Sequence, residues 1–306
     1  MINAVLITGF LGAGKTTLMQ EILGAFEDRK KGVIVNEFGQ VSIDSALIKR
    51  EGLRIEELSS GSIFCACIKD RFVDSLIEMS RQDIEYLFIE ASGLADPSVM
   101  ESILEGIRHK TGNVYDYMGS VCVVDGENFL GLYEILPALA SQIEFCSAAV
   151  VNKIDLTGAD ELLQLKNRIR ELNPDISIYE TSFCKADIAG ILKNMRTDIL
   201  PEARGSSNTR ENRPDTFVIR GEKQVEYDRL EMFIKEIMPE SYRIKGFADT
   251  ERGPVQISAS GKHLNILPWK EKVEKTEIVV ISAVGFRMMS VIAKSLEKNV
   301  KGILRV

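Results

Sequence analysis

Short runs of almost entirely apolar residues alternate with amphipathic stretches through the first two thirds of the chain. Continuous apolar runs are typical of parallel strands buried on both faces, and apolar positions three and four residues apart predict helices. The predicted strands are 4–8, 32–36, 86–90, 120–124 and 148–151. The predicted helices are 15–26, 71–80, 161–172 and 188–194. This alternation predicts an α/β fold with a doubly wound, mostly parallel sheet.

The pattern changes after residue 202. Residues 203–214 are small and polar and end in Pro214, which is typical of a linker. Beyond them, the pattern predicts a smaller α+β domain over residues 215–306. Its predicted strands are 216–220, 255–259 and 277–282, and its predicted helices are 227–237 and 288–298. The first domain is therefore predicted to span residues 1–202.

Composition narrows the class of protein. Of 306 residues, 45% are hydrophobic and 27% are charged, as in ordinary globular proteins. The net charge of −7 argues against nucleic acid or an anionic membrane as the partner. We find no signal peptide and no apolar run long enough to span a bilayer, so a cytoplasmic location is the expectation. In a reducing compartment the five cysteines are expected to be thiols or metal ligands.

A glycine-rich string, GFLGAGKT, occupies residues 9–16 between the first predicted strand and helix. It matches the GxxxxGK[ST] pattern, in which backbone N–H groups converge on phosphate oxygens and glycines permit close approach. Lys15 is predicted to neutralise charge on the β- and γ-phosphates, and Thr16 to ligate Mg²⁺. The strand–loop–helix context disfavours a chance match. The predicted phosphate-binding residues are Gly9, Gly12, Ala13, Gly14, Lys15, Thr16 and Thr17.

A second motif, Asn152-Lys153-Ile154-Asp155, directly follows a predicted strand. A carboxylate there can accept hydrogen bonds from the N1–H and 2-amino group of guanine, a donor pair that adenine lacks. Asp155 is predicted to make these bonds, Asn152 to bond the base or brace the loop, and the Lys153 stem to pack on the ring. Thr181 and Ser182 are predicted by position to line the base. A solvated loop is the alternative, but the preceding phosphate loop favours guanine recognition.

Residues 86–93 read YLFIEASG, an apolar strand that ends in a carboxylate. Glu90 is predicted to hold the Mg²⁺ shell through water or to orient the attacking water. Gly93 is predicted to give its N–H to the γ-phosphate and to act as a switch hinge. The alternative is that Glu90 is an acidic residue at the end of an ordinary strand, with no part in a site. Asp125, after strand 120–124, is either a site residue or a helix N-cap.

Together these motifs resemble the CobW-like GTPases, relatives of the HypB and UreG metallochaperones. The matching segments are GFLGAGKT at 9–16, NEFG at 36–39, ELSSG at 57–61, IEASGLADP at 89–97 and NKID at 152–155. The C-terminal residues resemble the family's CobW C-terminal domain, so the resemblance covers nearly the whole chain. It implies slow hydrolysis of GTP to GDP, a nucleotide-dependent homodimer or partner complex, and delivery of a transition metal, usually zinc or cobalt.

The metal motif departs from the family's pattern. Where the family typically carries CxCC, residues 62–65 read SIFC, so only Cys65 matches, and Cys67 lies two residues beyond. Two thiolates at this spacing can share Zn²⁺ or Co²⁺ in an extended loop, and the resemblance adds the carboxylate of Glu37. The alternative is that both cysteines are ordinary small residues. Cys122 and Cys146 are predicted to be core residues.

Hydrolysis is predicted to drive a switch in residues 36–44 and in the segment beginning at Gly93, because both would respond to the γ-phosphate. The predicted catalytic residues are Lys15, Glu90 and Glu37. Arg71 and Arg108 are either activating arginines or solvated surface charges.

Three functions stay open at this stage. The first is a metallochaperone-type GTPase that serves zinc, cobalt or cobalamin-related delivery. The second is a switch that activates a client, such as a corrinoid-dependent enzyme, without carrying metal. The third is a small-molecule kinase, against which the NKxD motif argues.

Overall fold

The computed structural model describes residues 1–37, 54–59, 66–195 and 214–306, with the backbone alone for 36–37, 54–59 and 66–70. It divides into two compact units, Met1–Asn212 and Arg213–Val306. Residues 196–213, which contain nearly all of the predicted linker, lie outside the described residues. The predicted domain limits therefore stay a prediction.

The described part of the first unit contains a seven-stranded sheet in the order β3-β2-β4-β1-β5-β6-β7, and every neighbouring pair is parallel. Its strands are β1 Ile2–Gly9, β2 Lys31–Glu37, β3 Arg54–Ser59, β4 Tyr86–Glu90, β5 Tyr115–Asp125, β6 Ala148–Asn152 and β7 Ser177–Glu180. Because all of them run in one direction, their carboxyl ends meet at one edge of the sheet.

Helices connect these strands. They are α1 Lys15–Ala25, α2 Ala66–Met79, α3 Met100–Thr111, α4 Phe129–Leu132, α5 Pro137–Glu144, α6 Ala159–Leu172 and α7 Ile188–Lys193. Short 3₁₀ helices lie at Pro97–Val99 and Ile154–Leu156. No helix among the described residues is long and apolar enough to cross a membrane.

The apolar strands are buried on both faces because successive side chains point to opposite sides of a sheet. On one face, Val5 and Ile7 of β1 share a core with apolar residues of α1 and α7. On the other face, Leu6 shares a core with apolar residues of α2 and α3. The predicted doubly wound α/β fold is therefore confirmed.

The five strands and four helices predicted for this unit are present with ends shifted by a few residues. The largest shifts are at the starts of α2, which begins at Ala66 rather than at the predicted Arg71, and of β5, which begins at Tyr115 rather than at the predicted Ser120. The strands β3 and β7 were not predicted, and both lie at the edges of the described sheet. Edge strands need less apolar sequence, and RIEELS in β3 contains three charged residues.

The second unit is an antiparallel sheet packed against two helices. The strand order is β11-β10-β9-β12-β8, and α8 and α9 bury their apolar residues in one core with the sheet. Its elements are β8 Thr216–Gly221, α8 Tyr227–Ile237, a 3₁₀ helix Met238–Glu240, β9 Ser241–Thr250, β10 Gly253–Ser260, β11 His263–Pro268, β12 Thr276–Ser282 and α9 Arg287–Asn299. The prediction of a smaller α+β unit is confirmed, although the strands β9 and β11 were not predicted.

The core of the second unit can be tested with two neighbouring residues of α8. Phe233 is fully buried, whereas Met232 is 51% exposed. Phe233→Ala is expected to destabilise the unit by about 3–5 kcal/mol because it leaves a cavity, and Met232→Ala by less than about 0.5 kcal/mol. Hydrogen exchange in peptides from residues 214–306 measures both changes. Equal effects of the two substitutions would contradict this packing.

Candidate nucleotide-binding site

The turn between β1 and α1 is built by backbone geometry that favours glycine. The N-cap of α1 is Gly14, which has a left-handed backbone with φ 117° and no side chain to accept the first N–H groups of the helix. Gly9 and Gly12 also have positive φ values, 131° and 81°. Because the N-terminus of a helix attracts anions, this turn offers a site for a phosphate group.

Two of these glycines are also required by close packing. A Cβ atom added to Gly9 would lie 2.2 Å from the carbonyl oxygen of Val123 in β5. One added to Gly14 would lie 2.5 Å from Nδ2 of Asn152 and 3.2 Å from Sγ of Cys184. The phosphate loop is thus held directly against the ends of the neighbouring strands.

The threonine of the loop contacts the carboxylate at the end of β4, and the lysine before it bonds within the loop. The Lys15 Nζ atom donates a hydrogen bond to the Phe10 carbonyl oxygen at 3.1 Å, within the loop itself. The Thr16 hydroxyl donates to Oε1 of Glu90 at 2.9 Å, and Glu90 is only 5% exposed. The structure thus brings together Thr16 and Glu90, the two residues that the sequence analysis assigned to Mg²⁺, and their part in binding the ion stays a prediction. Ala13 is buried, and Thr17 is half-buried in the first turn of α1.

This donor set fits a magnesium ion. Mg²⁺ prefers oxygen ligands, and protein sites commonly supply one or two of them beside the substrate phosphates. The hydroxyl of Thr16 and the carboxylate of Glu90 provide such oxygens, adjacent to the helix terminus that would receive the phosphates.

The segment after Glu90 is hydrogen-bonded to α5. The buried amide of Gln142 donates to the carbonyl oxygens of Gly93 at 3.2 Å and Ala95 at 3.0 Å. The neighbouring Ser141 hydroxyl donates to Oδ1 of buried Asp96 at 2.8 Å. Sequence reasoning missed these contacts, although two adjacent polar residues in the apolar helix PALASQIE were a usable signal.

A buried amide joins the phosphate loop to the loop after β7. The Asn152 Nδ2 donates to the Ala13 carbonyl oxygen at 2.9 Å, and Asn152 Oδ1 accepts from the backbone N–H of Cys184 at 2.9 Å. The Thr181 hydroxyl lies 3.4 Å from the same oxygen. Asn152 was predicted either to bond the base or to brace the loop, and these contacts are those of a bracing residue. Ser182 is half-buried beside them.

The remaining residues of the NKxD motif lie at the same edge. Lys153 has a left-handed backbone with φ 65°, and its ammonium lies 2.6 Å from Oδ2 of Asp125. Asp155 is exposed in the 3₁₀ helix that follows. Of the two alternatives for Asp125, the helix N-cap was wrong, because α4 has Asn128 as its N-cap. The carboxylate of Asp125 instead accepts the backbone N–H groups of Glu127 and Asn128, in the turn before the helix.

Three described cysteines are buried. Cys122 and Cys146 lie in the core, as predicted. Burial raises the pKa of Cys184 to about 12, so its thiol keeps the proton that it donates to the Gly14 carbonyl oxygen at 3.5 Å. This thiol braces the phosphate loop.

The candidate transition-metal site falls largely outside the described residues. Cys65 is not described, and neither are the side chains of Glu37 and Cys67. The backbone of Cys67 belongs to α2, so the condition that the two thiolates share a metal from an extended loop is not met at that position. Within the described part of the chain, no group of three or more His, Cys, Asp or Glu residues could hold a metal ion. Arg71 and Arg108 are both exposed.

A doubly wound parallel sheet with a GxxxxGK[ST] loop after its first strand is the fold of P-loop nucleotide-binding proteins, to which the P-loop GTPases belong. Residues 3–180 match the family described as "CobW/HypB/UreG, nucleotide-binding domain", and residues 215–303 match "Cobalamin synthesis protein cobW C-terminal domain". The chain belongs to the CobW/HypB/UreG family.

Curated relatives include two proteins named for zinc. The zinc chaperone YjiA of Escherichia coli is 31% identical over 207 residues, which cover 66% of this chain and 64% of YjiA. The zinc-regulated GTPase metalloprotein activator 1 of Dictyostelium discoideum is 26% identical over 292 residues, covering 79% and 62%. The chain thus spans less than two thirds of the length of these relatives.

Two solved structures were found to resemble this chain at low identity. The zinc-bound YjiA GTPase from E. coli is 20% identical, with a TM-score of 0.47 over 98% of this chain and 99% of that one. HypB from Helicobacter pylori, in complex with nickel, is 18% identical, with a TM-score of 0.42 over 63% and 83%.

The close packing of the phosphate loop can be tested by adding one methyl group. Gly9→Ala is expected to lower the free energy of unfolding by more than about 1 kcal/mol, because its Cβ would meet a backbone oxygen and its φ is positive. The matched control is Gly24→Ala in α1, where a Cβ would meet nothing within 4 Å and alanine favours the helix. Thermal or urea denaturation measures both. An unchanged stability of Gly9→Ala would contradict the close approach.

Proposed function

We propose that this chain binds GTP with Mg²⁺ at the carboxyl edge of its parallel sheet and hydrolyses it to GDP and phosphate as a switch. One observation carries the proposal: the phosphate loop, with its contact between Thr16 and Glu90, and the NKxD loop lie at the same edge of the sheet and are joined by the side chain of Asn152. Polyphosphate chemistry and base recognition are thereby within reach of one nucleotide.

Phosphate binding follows from the loop's own groups. The N–H groups at the start of α1 bind the phosphate oxygens, with Gly9, Gly12, Ala13, Gly14 and Thr17 shaping the loop around them. Lys15 exchanges the Phe10 carbonyl for the β- and γ-phosphate oxygens. Thr16 holds Mg²⁺ directly and Glu90 holds it through water. When bound, the ion neutralises charge on those phosphate oxygens.

Base selection is assigned to the exposed end of the NKxD loop. Asp155 accepts hydrogen bonds from the N1–H and 2-amino groups of guanine, and its exposure leaves it accessible to the base. The stem of Lys153 covers the ring, while Thr181 and Ser182 line the pocket. Asn152 acts from behind, by holding the loops in register with the phosphate loop.

Hydrolysis requires a water molecule placed in line with the γ-phosphate. We assign this positioning to Glu90 or Glu37, and charge stabilisation to Lys15. Gly93 gives its N–H to the γ-phosphate. When the γ-phosphate is released, this hydrogen bond is lost and the segment at Gly93, which Gln142 of α5 holds, changes its conformation. Turnover of the monomer is expected to be slow and to be accelerated by a nucleotide-dependent homodimer or by a client protein.

The family and the named relatives support a role in metal supply. We propose that the switch serves delivery of zinc or cobalt, or of a cobalamin-related cofactor, to a client metalloenzyme in the cytoplasm. The metal is cargo rather than a resident cofactor, and its candidate ligands are Cys65, Cys67 and Glu37. Coupling between cargo and nucleotide is expected to be worth about 1–3 kcal/mol.

A second candidate function is favoured by one specific feature of the sequence. Ser62 and Phe64 occupy positions where the family's CxCC pattern has cysteines. A site with fewer thiolates binds soft metals less tightly. In this alternative, the same GTPase activates or assembles a client, such as a corrinoid-dependent enzyme, without carrying metal.

Base choice provides the first test of the proposed function. Calorimetric titration with GTP, GDP and ATP is expected to show a strong preference for guanine in the wild type. Asp155→Asn should weaken GTP binding by about 10- to 100-fold, because a charged acceptor is lost, and should leave ATP binding unchanged. Equal affinities for GTP and ATP in the wild type, or a preference that survives the substitution, would refute the assignment.

Metal binding separates the two candidate functions. Anaerobic titration with Zn²⁺ or Co²⁺ is expected to show stoichiometric binding that the Cys65→Ala/Cys67→Ala protein loses, with thiolate charge-transfer absorption for Co²⁺. The control is Cys122→Ala, which alters a buried core cysteine. Binding that is unaffected by the double substitution would remove these ligands, and absence of binding would favour the activation switch.

A further inference from the structure

The carboxylate of Asp125, at the carboxyl end of β5, is buried and satisfied by four donors. Its Oδ1 accepts the backbone N–H groups of Glu127 at 3.1 Å and Asn128 at 3.2 Å. Its Oδ2 accepts Nδ2 of Asn128 at 3.1 Å and Nζ of Lys153 at 2.6 Å. Three of these donors belong to its own turn, so the carboxylate is fixed whether or not the lysine is present.

The backbone around Lys153 is fixed as well. Asp125 is paired with Asn152, the last residue of β6, in the parallel register of β5 and β6, which brings the residue that follows β6 close to the carboxylate. Lys153 then turns with φ 65°, and its carbonyl oxygen accepts the hydroxyl of Thr157 at 3.0 Å. The lysine side chain is held at both ends: by its backbone and, through the ammonium, by Asp125.

We infer that Asp125 is a positioning residue of the purine site, which holds the aliphatic stem of Lys153 in the place where it covers the base. The inference rests on the proposed function, because Lys153 covers a base only if the NKxD loop binds one. Asp125 lies at the end of β5, outside the NKxD motif, so the inference adds a residue of another strand to base recognition.

The physical reason is the conformational entropy of lysine. A free lysine side chain has many rotamers, and it would lose this entropy on packing against a purine. The ion pair with Asp125 already orders the Lys153 side chain when the protein folds. The side chain of Asp125 is only 4% exposed and that of Lys153 is 22% exposed. A stem ordered beforehand binds the base more tightly than a mobile one.

The test uses the full chain with substitutions at each end of the ion pair. Asp125→Asn retains an acceptor oxygen for the turn and removes the charge that holds the ammonium. Lys153→Met removes the ammonium and keeps an unbranched stem. The matched control is Asp116→Asn, the same change at an exposed position near the other end of β5. Thermal denaturation checks that each variant is folded.

Two ligands separate base contacts from phosphate contacts. Each single variant is expected to weaken GDP binding by about tenfold, and the double variant to be no weaker than either, because both remove one interaction. Inorganic tripolyphosphate, which has no base, should bind all variants equally, and Asp116→Asn should match the wild type with both ligands.

Three results would overturn the inference: Asp125→Asn binding GDP like the wild type, additive losses in the double variant, or an equal loss for tripolyphosphate. Should Asp125→Asn fail to fold, GDP binding by Lys153→Met becomes the deciding measurement. Lys153 makes no bond in the turn of Asp125 other than the ion pair, so this substitution leaves the turn intact. Failure of the proposed function would look different, since the wild type would then bind GDP no better than ADP.

Discussion

The buried side chain of Asn152 is the contact on which the candidate site depends. It joins the Ala13 carbonyl of the phosphate loop to the backbone N–H of Cys184, so three loops from distant parts of the sequence share one amide. Gly14 must lack a Cβ for this amide to approach. An unpaired buried carbonyl or N–H is costly, so the loops keep one arrangement. The phosphate loop and the NKxD loop are therefore fixed relative to each other.

The segment after Glu90 is less free than its glycine alone would indicate. Gln142 holds the carbonyl oxygens of Gly93 and Ala95, and Ser141 holds Asp96. A movement of this segment with nucleotide state must therefore break these bonds or carry α5 with it. The proposed switch would therefore involve α5 as well as the segment after Glu90.

Much of this architecture was predictable because two simple constraints act locally. Parallel strands buried on both faces must be apolar, and a phosphate loop needs glycine, so β1, β4, β6 and the turn at Gly9 could be assigned from sequence. The edge strand β3 could not, because its charged residues resemble a loop. Contacts between distant residues, such as Gln142 with Gly93 or Asp125 with Lys153, depend on strand order, which no local pattern encodes.

The central claim is that a guanine nucleotide lies with its phosphates on the N-terminus of α1 and its base on the NKxD loop. A crystal structure of the protein with Mg²⁺ and a non-hydrolysable GTP analogue tests this most directly. The account predicts phosphate oxygens within hydrogen-bonding distance of the first N–H groups of α1, Nζ of Lys15 moved from the Phe10 carbonyl to the phosphates, and guanine against Asp155. A nucleotide bound elsewhere, with the Lys15–Phe10 hydrogen bond intact, would contradict it.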